Sequence, residues 1–138
     1  MLGYSNQAHF KTSDQANSVM WARYMVAWWS HEELHLGRAV PRAWLAHGRE
    51  VALEGVVTYY GRVSARFTSE AGKGRIVLEA DLEGRDQPAR LRARFRHPDK
   101  APLRAVEVNG RSWSAFDPRR EDVDLTGLAG HLEVEARY

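Results

Sequence analysis

Cysteine is absent from the sequence, which excludes disulfides, thiolate metal sites and cysteine nucleophiles and fits a reducing compartment such as the cytoplasm. No apolar run approaches the roughly 20 residues that a membrane-spanning helix needs. The opening "MLGYSNQAHFKTS" also lacks a basic segment followed by an apolar one, so neither a membrane contact nor a secretion signal is expected. Charge of one sign is scarce as well: 20 Lys and Arg stand against 18 Asp and Glu, a formal net charge of +2. That balance argues against a nucleic-acid partner. Neither a "GxSxG" elbow nor a phosphate-cradling glycine loop occurs, which leaves serine-hydrolase and nucleotide chemistry without sequence support.

What is present describes an ordinary folded chain. A length of 138 residues suits one domain, and 43% hydrophobic with 28% charged residues is the composition of a soluble globular protein. Residues 1–18 are polar and without apolar periodicity, so an irregular N-terminal arm is expected there, with the folded domain over 19–138. From Gly61 onward the apolar residues repeat every second position. "VSARFT" places Val63, Ala65 and Phe67 on one face, and "RIVLEADLE" does the same with Ile76, Leu78, Ala80 and Leu82. "ARLRARFR" alternates Leu91, Ala93 and Phe95 with Arg90, Arg92, Arg94 and Arg96, and the C-terminal stretch alternates Leu132, Val134, Ala136 and Tyr138 with charged residues. Asn109-Gly110 between short apolar runs marks a tight hairpin, "AGKGR" reads as a hairpin tip, and "PRAWLAHG" is a single helical turn started by Pro41 and stopped by Gly48. Short strands at close spacing predict an all-β fold, an antiparallel β-sandwich with one short helix.

The six-residue "GRDQPA" between "RIVLEADLE" and "ARLRARFR" suggests that these two strands form an antiparallel hairpin. Its register would set Glu83 against Arg90, Asp81 against Arg92 and Glu79 against Arg94, with Leu82–Leu91, Ala80–Ala93 and Leu78–Phe95 on the other face. Acids facing the arginine run would make it a solvated, salt-bridged surface rather than a phosphate-binding stripe.

"SHEELHLG" contains H-E-x-x-H, in which His31 and His35 would hold zinc or another divalent metal and Glu32 would act as the base of a small hydrolase, with His9 or an acid completing the ligand set. That chemistry needs one continuous helix through both histidines. A helix can be drawn through "SVMWARYMVAWWSHEELHL", but Gly37 and Pro41 close it quickly. In the rival reading "RYMVAWW" and "LHLGRAV" are strands joined by a turn at "SHEE", which points the two imidazoles apart.

The run "EELHLGRAVPRAWLAHGREVALEGVVTYYGRVSARFTS" resembles the start of the C-terminal β-sandwich of bacterial glycoside hydrolases built around an (α/α)6 toroid, of the α-L-fucosidase and β-L-arabinofuranosidase types. Pro41 and Trp44 stand where that resemblance puts a Pro and a Trp, and "FRHPDKAPLRAVEVNGRSW" to the C-terminus is similar to the end of the same domain. The likeness covers about residues 19–138. It implies a non-catalytic accessory domain without the toroid that carries the acid and base carboxylates, and it places "SHEE" in a hairpin turn.

Aromatic faces stack on the C–H bonds of sugar rings, which makes Trp29, Trp44, Tyr59, Tyr60 and Trp113 the candidate ligand-binding residues. General burial tendencies would place about three of the five tryptophans in the core, and adjacent Trp28 and Trp29 on a strand would point to opposite sides. Paired acids for glycoside hydrolysis, Glu32 with Glu54 or Asp117 with Asp122, read as solvated loop residues. The expected partners are a carbohydrate, a second copy of the chain, or a toroid domain, the latter two through an exposed aromatic surface.

Overall fold

The computed structural model describes residues 19–138; the arm expected over residues 1–18, and His9 with it, lie outside the described residues. Residues 19–26 are helical (α1). The strands that follow are β1 (Ala27–Trp29), β2 (Glu33–Leu36), β3 (Glu50–Thr58), β4 (Gly61–Glu70), β5 (Arg75–Leu82), β6 (Arg90–Arg94), β7 (Ala105–Val108), β8 (Arg111–Trp113), β9 (Phe116–Asp117), β10 (Asp122–Asp124) and β11 (Gly130–Arg137). They form a five-stranded sheet in the order β1-β2-β6-β10-β9 and a six-stranded sheet in the order β3-β4-β5-β11-β7-β8. The fold is an all-β sandwich, antiparallel apart from the β2–β6 pair. Among the described residues, no helix is long and apolar enough to cross a membrane.

The period-two pattern works as expected. Leu34, Leu36, Leu91, Ala93 and Val123 from the first sheet meet Val63, Ala65, Phe67, Ile76, Leu78, Ala80, Leu132, Val134 and Ala136 from the second in one buried cluster. Phe67 and Phe95 close its centre in an edge-to-face contact, ring centroids 5.6 Å apart. Asn109 and Gly110 both have positive φ (49° and 75°), the geometry a two-residue hairpin turn demands, and they join β7 to β8. "PRAWLAHG" is a 3-10 turn over Arg42–Leu45, and "AGKGR" is the tip of the β4–β5 hairpin.

The expected β5–β6 hairpin is not formed. β5 lies between β4 and β11, while β6 lies between β2 and β10 in the opposite sheet. None of the Glu83–Arg90, Asp81–Arg92 and Glu79–Arg94 pairs exists. Alternation assigns a strand its buried face but not its neighbour, and two strands with complementary inner faces can meet across the core as well as side by side. The connecting loop is a crossover, and Gly84 makes it: its Cα passes so close to Tyr60 that an added Cβ would lie 1.6 Å from the Tyr60 carbonyl oxygen.

Two of the three arginines of β6 nevertheless pair with acids, from other strands. Arg90 pairs with Glu33 of β2 at 2.8 Å and Arg92 with Asp122 of β10 at 3.0 Å. Asp81 instead meets His131 at 2.7 Å.

A candidate binding groove at the hairpin corner

The β1–β2 turn decides the H-E-x-x-H question in its geometric part. Ala27 pairs with Leu36, Trp28 with His35 and Trp29 with Leu34, so the chain reverses through "SHEE". The Ser30 amide donates to the Glu33 carbonyl at 2.9 Å, and the Ser30 hydroxyl accepts from the amides of Glu32 and Glu33 at 3.3 and 3.2 Å. The strand begins later than "RYMVAWW" suggests, because residues 23–26 still belong to α1.

On this hairpin the two histidines have separate partners. His31 stacks on Tyr59, ring centroids 4.6 Å apart and planes within 6°. His35 sits on β2 beside Trp28 and hydrogen-bonds Glu33 at 3.0 Å. With the Arg90 guanidinium added, that contact holds the Glu33 carboxyl below its ordinary pKa. Glu32 is exposed in the turn. Among the described residues no three His, Asp or Glu side chains converge as metal ligands.

A second turn is pinned to the first. Tyr59 and Tyr60 connect β3 to β4, and the Tyr60 hydroxyl donates to the Ser30 carbonyl at 2.6 Å. Tyr60 is thereby buried, and burial is the chief cause of its raised phenol pKa, helped by Glu32 and Glu33. Its face is unavailable to a ligand, so it leaves the set of aromatic platform candidates.

Next to this corner residues of α1 come close to β3, the edge strand of the six-stranded sheet. β3 carries a bulge between Leu53 and Val56. Gly55 there has φ 60° and donates its amide to the Ser64 hydroxyl at 2.9 Å. The bulged residues border a groove of about 380 Å³ lined by Met20, Arg23, Tyr24, Trp29, Glu54, Gly55, Val56 and Val57. Trp29 and Tyr24 form its aromatic wall, centroids 5.3 Å apart and tilted by 47°. Glu54 accepts from the Arg66 guanidinium at 2.9 Å, and Arg23 supplies a cation to the same groove.

The other aromatic candidates are dispersed. Tyr59 is 57% exposed on the same corner but committed to His31. Trp44 borders a shallow depression with Arg49, Glu50 and Val51 at the far end of β3. Trp113 packs against the core from β8 and donates its indole N–H to the Asp124 carbonyl at 2.9 Å. The expectation of three core tryptophans is not met: Trp21 and Trp44 are 64% and 38% exposed, and Trp28, Trp29 and Trp113 are half-buried at sheet edges. Trp28 and Trp29 do point to opposite sides, Trp29 toward the core and Trp28 outward beside His35.

Of the four paired acids expected in loops, Glu32 alone lies in a turn, where it is exposed, while Glu54, Asp117 and Asp122 lie on strands, Glu54 and Asp117 exposed as well. Asp117 and Asp122 face each other across β9 and β10; Asp122 pairs with Arg92, and Asp117 accepts the amides of Arg119 and Arg120 at 2.8 and 3.2 Å, which hold its carboxyl below its ordinary pKa. Met20, Arg23 and Tyr24 went unrecognised as lining residues. Their i, i+3, i+4 spacing, which puts them on one helical face, was the available signal.

No family model matches the chain, and no curated protein matches it significantly.

Proposed function

We propose that this chain is a non-catalytic β-sandwich binding module, akin to the accessory domains of (α/α)6-toroid glycoside hydrolases, and that it holds a carbohydrate in the groove between α1 and the bulged edge of β3. The observation that carries this is the composition of that groove: two aromatic rings beside a guanidinium and an oriented carboxylate. Ring C–H bonds pack on Trp29 and Tyr24, while Arg23 and Glu54 supply a donor and an acceptor for hydroxyl pairs. The hydrolase alternative, with a metal on His31 and His35 and Glu32 as base, needs a helix where the chain forms a hairpin. The test is binding to a glycan array followed by titration of the best glycan against the wild type and Trp29→Ala. Saturable binding that the substitution abolishes supports the module, and no binding to any glycan removes the carbohydrate.

One observation favours a protein partner as the second reading. Val19, Met20, Trp21, Tyr24, Val57 and Tyr59 are all exposed, more apolar surface than a sugar site requires. A toroid domain or a second copy of the chain would cover it. Sedimentation of the protein alone and mixed with a toroid domain would detect either, and a monomer that ignores the toroid would exclude both.

A further inference from the structure

The outer face of the five-stranded sheet holds a second recess, about 270 Å³, lined by His35, Arg38, Arg94, Arg120 and Asp122. Three parts of the chain build it. Arg94 lies on β6, the central strand, while Arg38 follows β2 on one flank and Arg120 precedes β10 on the other. Arg94 ties the flanks together: its Nε donates to the Arg120 carbonyl at 3.1 Å and its Nη1 to the Arg38 carbonyl at 3.4 Å. Arg38 is further positioned over the Trp28 ring, 4.2 Å from the centroid.

The nearby anions are already engaged. Asp122 is paired with Arg92, Glu33 with Arg90 and His35, and Glu121 with Arg42. One oxygen of Asp117 accepts the amides of Arg119 and Arg120. Among the described residues Arg38, Arg94, Arg96 and Arg120 form no ion pair. Arg96, two residues beyond Arg94, donates its Nη1 to the Val40 carbonyl at 3.4 Å, while its buried Nε lacks a hydrogen-bond acceptor. Burial, followed by the like charges of Arg94 and Arg42, lowers the pKa of its guanidinium. The recess thus gathers Arg38, Arg94 and Arg120 around a single carboxylate, Asp122, that Arg92 already engages, a surplus of positive charge that an arriving anion would offset.

We propose that this recess binds a doubly charged tetrahedral oxyanion, a phosphate or sulfate group. Arginines drawn from both flanks and from the central strand line one recess, and the arginines there outnumber its one carboxylate, which suits a multiply charged oxyanion with several acceptor oxygens better than a monoanionic carboxylate. The site is separate from the groove of Trp29 and does not depend on what that groove holds.

The test is calorimetric titration of the whole chain with inorganic phosphate, inorganic sulfate, a sugar phosphate, a sulfated monosaccharide and acetate, each against sodium chloride of equal ionic strength. Saturable one-to-one binding of phosphate or sulfate is expected, weakened about tenfold or more by Arg94→Gln and by Arg120→Gln. Arg120 lies exposed in a loop, so its variant keeps the test valid if Arg94→Gln unfolds. Tighter binding of an ester than of the free anion would assign the group to a sugar ligand, and the reverse would assign it to the free ion. Phosphate and sulfate behaving like chloride, acetate binding as tightly, or both variants binding like the wild type would overturn the proposal.

Discussion

Glu121 connects the 3-10 turn to the β9–β10 loop, and Glu121→Gln measures how much the connection contributes. Its side chain is 8% exposed, and its two oxygens accept from Arg42 Nη1 and Nη2 at 2.8 and 2.7 Å. Arg42 also donates to the His97 carbonyl at 2.7 Å, and the carboxylate keeps the Arg42 guanidinium pKa above its ordinary value. The amide preserves shape but turns an N–H₂ toward a guanidinium donor, so one charged hydrogen bond is lost and Arg42 loses its counter-ion. A charged hydrogen bond contributes about 1.5–3 kcal/mol, and breaking a fully buried pair costs about 3–5 kcal/mol. The Arg42 side chain is 24% exposed, so water compensates part of the loss and the expected destabilisation is about 2–3 kcal/mol. With a urea slope of about 1–3 kcal/mol/M, the unfolding midpoint should fall by about 0.7–3 M. Arg42→Gln combined with Glu121→Gln should cost clearly less than the sum of the single changes, because no unpaired charge remains. A single-variant loss under about 0.5 kcal/mol, or strict additivity of the two, would refute the role assigned to the pair.

Other outcomes follow from the same geometry. Gly84→Ala forces a Cβ into the Tyr60 carbonyl and should destabilise by about 3 kcal/mol or more in urea unfolding, since neither backbone can retreat without breaking the crossover. His131 has its pKa raised by the hydrogen bond and charge of Asp81; the contact is therefore fully stabilising below the unfolded-state value near about 6.5 and is lost as pH rises through the folded-state value. Proton NMR should show His131 titrating above an unperturbed histidine in the wild type, and Asp81→Asn should remove the displacement. Zinc titrated into metal-free, untagged protein should show no tight stoichiometric binding that vanishes in both His31→Ala and His35→Ala, because one ring is stacked on Tyr59 and the other engaged by Glu33.

The sequence was informative wherever a property depends on one residue and its near neighbours. Alternation identified the buried faces of β4, β5, β6 and β11, Asn109-Gly110 identified its hairpin, and Gly37 with Pro41 argued against a helix through His35. Strand partnership was not legible, because Leu78, Ala80 and Leu82 complement Leu91, Ala93 and Phe95 equally well beside them or across the core. The crossover rests on one close backbone approach, at Gly84, that nothing in "GRDQPA" announces. The same blindness hid both recesses. The groove needs α1 and a bulge in β3 to meet, and the arginine recess draws Arg38, Arg94 and Arg120 from distant segments. The sugar-stacking argument pointed to Trp29 but could not separate it from Tyr60, whose hydroxyl is consumed by the neighbouring turn.

The most direct measurement is quenching of tryptophan fluorescence during glycan titration, in the wild type, Trp29→Ala and Trp44→Ala. Saturable quenching that persists in Trp44→Ala and disappears in Trp29→Ala, with both variants folded, is the result expected of a carbohydrate module working through the groove. Binding that survives Trp29→Ala, or depends on Trp44 instead, would contradict it.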